Sequence, residues 1–285
     1  MTDLPAATPG GLGLEKIHMT ERAAMIAENP DGDVYKNERD LKSVLFKQEQ
    51  MADEIAQKTA MVSDPDPLES LKDEYSVKDK RIRTRINELS TLYGTLRRTR
   101  PDGNSFYRAF AFGYLESLRH DVDELMNAQD IVRRAREDLV CLGYPLFSFE
   151  IFYDVVMISD SIVAYLRLIT AAHIKLDSEY YTSFYKWDKK TLDAFCAREV
   201  EPMNIEADDI QMTALAVRFG IAIRVEYLEQ QRVVEQTWGK PMERVRIRRD
   251  FVEGWDPRIH LLCRPGQFDI LYKPSRDKHS GSATP

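Results

Sequence analysis

The stretch TRPDGNSFYRAF, residues 99–110, contains a turn that leads directly into a helix. Pro101, Gly103 and Asn104 are typical of turns, and the aromatic residues that follow recur at helical spacing from Ser105 onward. The N-terminus of a helix carries a partial positive charge, and backbone N–H groups in such a turn can point at an oxyanion. A nucleophile at position 105 would therefore be well placed, although an ordinary loop-to-helix junction would show the same pattern.

A second stretch, LLCRPGQFDILY at residues 261–272, predicts two strands joined by a Pro-Gly turn. Gln267 and Asp269 are two residues apart, so their side chains share one face of the second strand. A histidine at 267 oriented by an acid at 269 would be a general base with its orienting group. Glutamine cannot accept a proton near neutral pH, so the residues alone indicate a hairpin without chemistry.

Together these stretches resemble the two catalytic segments of the otubains, the ovarian-tumour (OTU) class of cysteine deubiquitinases. Three further segments resemble family segments in the same order: FCAREVEPM (195–203), YLRLIT (165–170) and VEYL (225–228). The resemblance covers about residues 40–273 and is nearest to the otubain 1 branch. It implies an α+β fold of the papain-like OTU type, with a small sheet between helical layers and an N-terminal helical extension.

The resemblance also implies which residues occupy the catalytic positions of the family. The family's aspartate falls on Asp102, its nucleophilic cysteine on Ser105, its histidine on Gln267 and the following carboxylate on Asp269. The nucleophile and the base therefore both depart from the family's pattern, whereas the two acidic positions are retained.

The turn residues Gly103 and Asn104, which would supply the oxyanion site, are also retained. A serine hydroxyl is much harder to ionise than a thiol and needs a general base more. In a protease whose nucleophile and base act as a unit, loss of either one lowers turnover by a factor on the order of 10⁶. Serine at 105 alone would be compatible with an introduced change, but glutamine at 267 favours natural loss of catalysis.

No histidine is predicted to replace the missing base. We expect His260, on the strand before the Pro-Gly turn, and His173, in a helical run, to be ordinary structural or surface histidines. The other histidines lie in segments without a link to Ser105: His18, His120 and His279.

An amphipathic helix of roughly five turns is predicted from Asp40 to the break at SDPDP, residues 63–67. Its apolar stripe includes Leu45, Met51, Ile55 and Ala56. The pattern alone favours a helix packed on its own domain. However, residues 44–62 resemble the helix that precedes the OTU domain in the otubain 1 branch and contacts the ubiquitin carried by a conjugating enzyme. The resemblance thus implies that these four residues bind ubiquitin.

The remaining periodicity predicts helices first and strands later, which is typical of an α+β domain. Helices are predicted over 80–97, 105–119, 121–142, 149–174, 191–201 and 208–220, and strands over 221–228, 233–238, 258–263 and 267–272. Asp208 and Gln211 fit a capping box, and Gly220 a left-handed helix end. The basic stretch Arg244–Arg249 is predicted to be a solvated turn.

The composition excludes several classes of protein. The chain has 40 basic and 47 acidic residues, for a formal charge of −7, which argues against a nucleic-acid binder. It has neither an apolar run of transmembrane length nor a signal peptide, so we expect no membrane association. Three widely spaced cysteines predict buried thiols in a reducing compartment, with no disulfide framework or zinc site. We expect no metal, no cofactor, and a cytoplasmic location with the nucleus as an additional one.

The predicted organisation is a disordered segment (1–38), a helical arm and extension (39–93), the OTU domain (94–275) and a disordered tail (276–285). Three functions remain in competition. The first is a catalytically impaired otubain that binds ubiquitin, polyubiquitin and a ubiquitin-charged conjugating enzyme. The second is an active ubiquitin thioesterase that cleaves 48-linked polyubiquitin, and the third is a scaffold that has lost ubiquitin binding.

Overall fold

The computed structural model of the chain describes residues 59–119, 121–144, 158–237, 240–252 and 254–274. The predicted ubiquitin-binding residues of the arm lie outside these ranges: Leu45, Met51, Ile55 and Ala56. The predicted disordered ends, 1–38 and 276–285, lie outside them as well, so both ends and the arm before residue 59 stay predictions. The last part of the predicted arm helix is wrong: residues 59–62 are not helical, and Val62 forms an antiparallel bridge with Thr99.

Helices account for most of the described chain before residue 220. They are α1 (Lys80–Ser90), α2 (Ser105–Leu118), α3 (Val122–Cys141), α4 (Ile158–Leu176), α5 (Ser178–Tyr185), α6 (Lys189–Phe195) and α7 (Asp209–Phe219), with a 3₁₀ turn at Leu68–Asp73 and a π turn at Cys196–Val200. The capping box of Asp208 with Gln211 and the left-handed end at Gly220, with φ of 60°, are both confirmed. None of the helices in these ranges has the length and apolar character that a membrane crossing requires.

The strands form one mixed sheet. They are β1 (Asp66–Pro67), β2 (Thr95–Arg97), β3 (Ile223–Thr237), β4 (Lys240–Phe251), β5 (Ile259–Arg264) and β6 (Gln267–Tyr272). Their order in the sheet is β1-β2-β6-β5-β3-β4. β3 and β5 are parallel, and the other neighbouring pairs are antiparallel.

The sheet lies between two apolar layers. Leu261 and Ile270 face the larger core, which contains buried residues of α2, α3, α4 and α7. Leu262 and Leu271, their neighbours along the same strands, face a second core that contains α1. This alternation follows from the two-residue period of a strand. The predicted α+β class, with a small sheet between helical layers, is confirmed.

Residues before position 94 take part in this packing. β1 pairs with β2 at one edge of the sheet. Ile86 and Leu89 of α1 are fully buried in the same cluster as Leu262 of β5. α1 therefore shares its core with strands of the predicted OTU domain.

The predicted helix over 80–97 is too long. α1 ends at Ser90, and Thr95–Arg97 pairs with β6 as strand β2. Leu89, Tyr93 and Leu96 have helical spacing and are all buried, but Leu96 lies on a strand. The hydrogen bonds available from β6 decide the conformation at this point, so local periodicity is misleading.

The prediction of a solvated turn at Arg244–Arg249 is wrong. This stretch belongs to β4, which pairs along β3. Arg246 and Arg249 bind the buried carboxylate of Asp209, and Arg248 binds the fully buried Glu226 at 2.7 Å. Acidic residues from distant parts of the chain thus pair with Arg246, Arg248 and Arg249, which were predicted to be solvated.

Candidate functional site

Ser105 joins the start of α2 to the start of β6. It is the first residue of α2 and is only 3% exposed. Its Oγ accepts a hydrogen bond of 3.1 Å from the N–H of Phe268, a residue 163 positions away in sequence. The ring of Phe106 packs edge-on against the Phe268 ring, with the centroids 5.6 Å apart. The structure therefore brings the predicted nucleophile position against the segment that holds the predicted base position.

Gln267 makes the hydrogen bond that a catalytic histidine would make at this position. Its Nε2 donates to Asp269 Oδ1 at 2.6 Å. Asp269 is fully buried, and it also accepts from the Thr99 N–H at 3.1 Å and from Arg264 Nε at 2.7 Å. Burial raises the pKa of the Asp269 carboxyl, while Arg264 acts in the opposite direction. The acid is therefore fully hydrogen-bonded and holds a side chain that cannot act as a base.

Asp102 closes the turn before α2. Its two oxygens accept from the two terminal nitrogens of Arg108, at 2.9 and 2.7 Å, in a bidentate pair. Oδ1 also accepts from the N–H of Asn104 at 3.0 Å. Arg108 also donates a hydrogen bond of 3.0 Å to the carboxylate of Asp160 on α4. Asp102 thus stabilises the turn, and both of its carboxylate oxygens already accept hydrogen bonds from Arg108.

Gly103 and Asn104 bind the segment around Asn204. Gly103 has φ of 75°, and a Cβ there would collide with the carbonyl oxygen of Asn204, so this close approach requires glycine. The Asn104 amide nitrogen donates to Asn204 Oδ1 at 2.8 Å, and Asn104 Oδ1 accepts from the Asn204 N–H at 2.8 Å. These two hydrogen bonds hold the turn against the segment around Asn204.

Arg167 of α4 lies behind the same turn. It is fully buried, its guanidinium stacks over the Tyr107 ring at 4.5 Å, and burial lowers its pKa. It donates to the Gly103 carbonyl at 3.0 Å and to Asn104 Oδ1 at 2.9 Å. The sequence pattern does not indicate a role in the site for Arg167 or Arg108, and the only signal for Arg167 is an arginine within the apolar run of α4.

Two backbone donors remain available at the turn. Ser105 begins α2, so its N–H has no acceptor within the helix. Neither this N–H nor that of Gly103 is hydrogen-bonded to any of the described residues. The Ser105 N–H lies at the positive end of α2 and that of Gly103 two residues before it, where the helix dipole favours negative charge.

No histidine of the described ranges is hydrogen-bonded to Ser105. His260 Nδ1 lies 3.1 Å from the Tyr93 hydroxyl, which donates to Glu226 at 3.0 Å. Burial lowers the pKa of His260 to about 4, and desolvation lowers that of His173 to about 4. Both histidines are therefore neutral structural residues at neutral pH, as predicted.

The cysteines do not provide an alternative nucleophile. Burial raises the pKa of Cys196 and of Cys263 to about 12, so both remain thiols. Cys141 is exposed at the end of α3, so the prediction of buried thiols is wrong for this residue.

Comparison with known proteins gives the same family over most of the chain. The Peptidase C65 otubain family matches residues 54–158 and 156–273. Human ubiquitin thioesterase OTUB1 is 34% identical over 254 residues, which are 81% of this chain and 90% of OTUB1. Human ubiquitin thioesterase OTUB2 is 33% identical over 220 residues, which are 69% of this chain and 88% of OTUB2.

A solved structure supports the same relationship in three dimensions. It contains an OTUB1 chain with ubiquitin aldehyde and UBC13~Ub. The match to this structure has a TM-score of 0.68 at 27% sequence identity, and it covers 82% of this chain and 98% of the other.

Proposed function

Because the chain belongs to the otubain family of Peptidase C65, we propose that it binds ubiquitin and a ubiquitin-charged conjugating enzyme without cleaving ubiquitin chains. The similar OTUB1 structure, which holds ubiquitin aldehyde and UBC13~Ub, supports the choice of partners. The observation that supports loss of catalysis is the Gln267 amide, which donates to Asp269 where the family needs a base.

The surroundings of Ser105 support the same conclusion. To attack a carbonyl carbon, its hydroxyl must lose a proton to a nearby base. Asp269 already accepts three hydrogen bonds, and both oxygens of Asp102 are bound by Arg108. The donors of the turn remain in place, so the site retains groups that bind a ligand and has lost those that drive the reaction.

We expect no measurable hydrolysis of 48-linked diubiquitin by this protein, because position 105 holds no thiol and position 267 holds no base. A gel assay with an active otubain run in parallel measures this directly. Ser105→Ala tests the site, and Ser117→Ala, at the other end of α2, is the matched control. Cleavage that Ser105→Ala abolishes and Ser117→Ala retains would refute the proposal.

That result would instead support the alternative function, an active ubiquitin thioesterase that cleaves 48-linked polyubiquitin. Two observations favour this alternative. The similar human proteins are ubiquitin thioesterases by name, and Gly103, Asn104 and Asp269 are retained in this chain. If the protein neither binds nor cleaves ubiquitin, the chain is a scaffold that has lost both properties.

The arm supplies a second test. If its apolar stripe contacts ubiquitin, Ile55→Glu should weaken binding to a ubiquitin-charged conjugating enzyme by about 10²-fold or more, because it buries an unpaired charge. Binding to the uncharged enzyme should change less. Titration calorimetry with both forms of the enzyme gives the two affinities.

Gln57→Glu is the matched control, because it adds the same charge to the polar face of the predicted helix. It should bind like the parent protein, and circular dichroism should show that both variants are folded. Unfolding by Ile55→Glu would favour a helix packed on its own core. A variant with unchanged stability and unchanged affinity would contradict both interpretations of the arm.

A further inference from the structure

The outer side of α3 carries a stripe of apolar side chains that are exposed to water. Five of its apolar residues are between 42% and 72% exposed: Val122, Leu125, Met126, Val132 and Val140. Their separations are close to multiples of 3.6 residues, so they lie along one side of the helix. Ala128 and Ala135, on the other side, are buried in the larger core of the domain. α3 therefore has two apolar sides, and the described part of the domain covers one of them.

An apolar groove adjoins this stripe, because Leu125 and Val132 belong to both. The groove is lined by residues of α2, α3 and α4 and has a volume of about 610 Å³. Leu115, which is 52% exposed, forms part of its α2 side. A soluble protein rarely leaves a continuous apolar surface of this kind in water unless a partner covers it. We call the stripe and the groove together the α3 face.

Asp123 and Arg134 of α3 form no ion pair with any of the described residues, and both are exposed. The acidic residues around them are already paired within the same copy: Glu124 with Arg258, Asp130 and Glu137 with Arg133, and Asp138 with Arg218. Asp123 is three residues before Met126, so it borders the apolar stripe. Arg134 follows eleven residues after Asp123, which is about three turns, so both charges lie on the same side of the helix.

A second copy of this chain offers a matching surface when its α3 runs in the opposite direction. With a twofold axis near residues 128 and 129, Leu125 of one copy comes level with Val132 of the other, so the two apolar stripes meet. The same axis brings Asp123 level with Arg134 of the other copy, and it does so twice because the interface is symmetric. A parallel arrangement would instead place like charges at the same level. The α3 face is thus complementary to itself in the antiparallel orientation.

We propose that this chain forms a symmetric dimer through the α3 face, with the two α3 helices antiparallel. α3 has 20 residues and is therefore about 30 Å long, which places the interface at the low end of the size range for specific complexes. The dimer should dissociate at concentrations on the order of micromolar. The Ser105 site lies at the start of α2, whereas Leu115 and Leu118, which line the groove, lie near its end. Dimer formation therefore does not depend on the ubiquitin binding proposed above.

Sedimentation velocity of the full chain, at concentrations on either side of this value, should show a monomer–dimer equilibrium. Val122→Lys should weaken the dimer by at least about tenfold, because it places a charge in the apolar stripe and brings it level with the arginines of the other copy. Val77→Lys is the matched control, since Val77 lies before α1 and is 79% exposed, compared with 72% for Val122. It should dimerise like the parent protein, and circular dichroism should show that both variants are folded.

A charge swap tests the antiparallel arrangement. Asp123→Arg should weaken the dimer by about tenfold, because the like charges meet at two symmetric places. Adding Arg134→Asp should return the affinity to nearly that of the parent protein. The two positions are about 16 Å apart along one helix, so they cannot contact each other within a copy, and such a recovery can arise only between copies.

A parent protein that stays monomeric over the whole range would overturn the inference and would mean that another segment or another partner covers the α3 face. Equal weakening by Val122→Lys and Val77→Lys would also overturn it, because the contact would then not involve α3. If the swapped double variant were no tighter than Asp123→Arg, the antiparallel pairing would be wrong.

Discussion

Ser105→Cys combined with Gln267→His should restore hydrolysis of 48-linked diubiquitin to at least about 10³-fold above either single variant, because the nucleophile and the base act as a unit. The new thiol would be the first residue of α2, where the helix dipole lowers its pKa. The new imidazole could take over the hydrogen bond that Gln267 now donates to Asp269 at 2.6 Å, which would fix its orientation. Initial rates from a diubiquitin cleavage assay measure the effect.

Two results would show that the gain has a different origin. If Ser105→Cys alone matched the double variant, Gln267 would not be a missing base. If Asp269→Asn in the restored protein left the rate unchanged, the orienting role of Asp269 would be wrong. Asp269→Asn should instead remove much of the gain, since it disrupts the hydrogen bond that selects the tautomer of the histidine.

Arg264→Met should lower the free energy of unfolding by about 3–5 kcal/mol at neutral pH, because it leaves a buried carboxylate without its cation. Arg264 is 8% exposed and Asp269 fully buried, and their hydrogen bond is 2.7 Å long. Burial already raises the pKa of Asp269, and loss of the arginine raises it further. A carboxyl whose pKa is higher in the folded state favours folding when it is protonated, so the deficit should shrink as the pH falls through the folded-state pKa. Urea denaturation at neutral and mildly acidic pH measures both values.

Glu74→Gln is the matched control, because Glu74 is the partly exposed second carboxylate that pairs with Arg264. Glu74 binds Arg264 at 2.6 Å, but its side chain is 37% exposed, so its loss should lower stability by less than about 1 kcal/mol. Adding Asp269→Asn to Arg264→Met should recover much of the lost stability, because no buried charge then remains. A deficit that is the same at both pH values would contradict the assignment of the effect to Asp269.

The sequence by itself determined the features that depend on neighbouring residues. The turn before Ser105, the capping box of Asp208 with Gln211 and the left-handed end at Gly220 were all predicted and are all present. The positions of Gln267 and Asp269 on one strand were predicted in the same way. These features arise from propensities and hydrogen bonds within a few residues, so a short window of sequence contains their cause.

The tertiary structure decided which strands and side chains are in contact and which charged side chains are paired. β2 is a strand of three residues that pairs with β6 and β1, and three arginines of β4 are paired because the fold brings Asp209 and Glu226 to Arg246, Arg248 and Arg249. The part that Arg167 plays behind the turn also depends on residues 63 and 64 positions away. Hydrogen bonds and charge pairs over such separations exist only when the packed core holds both partners in place, and periodicity along the chain contains no information about them.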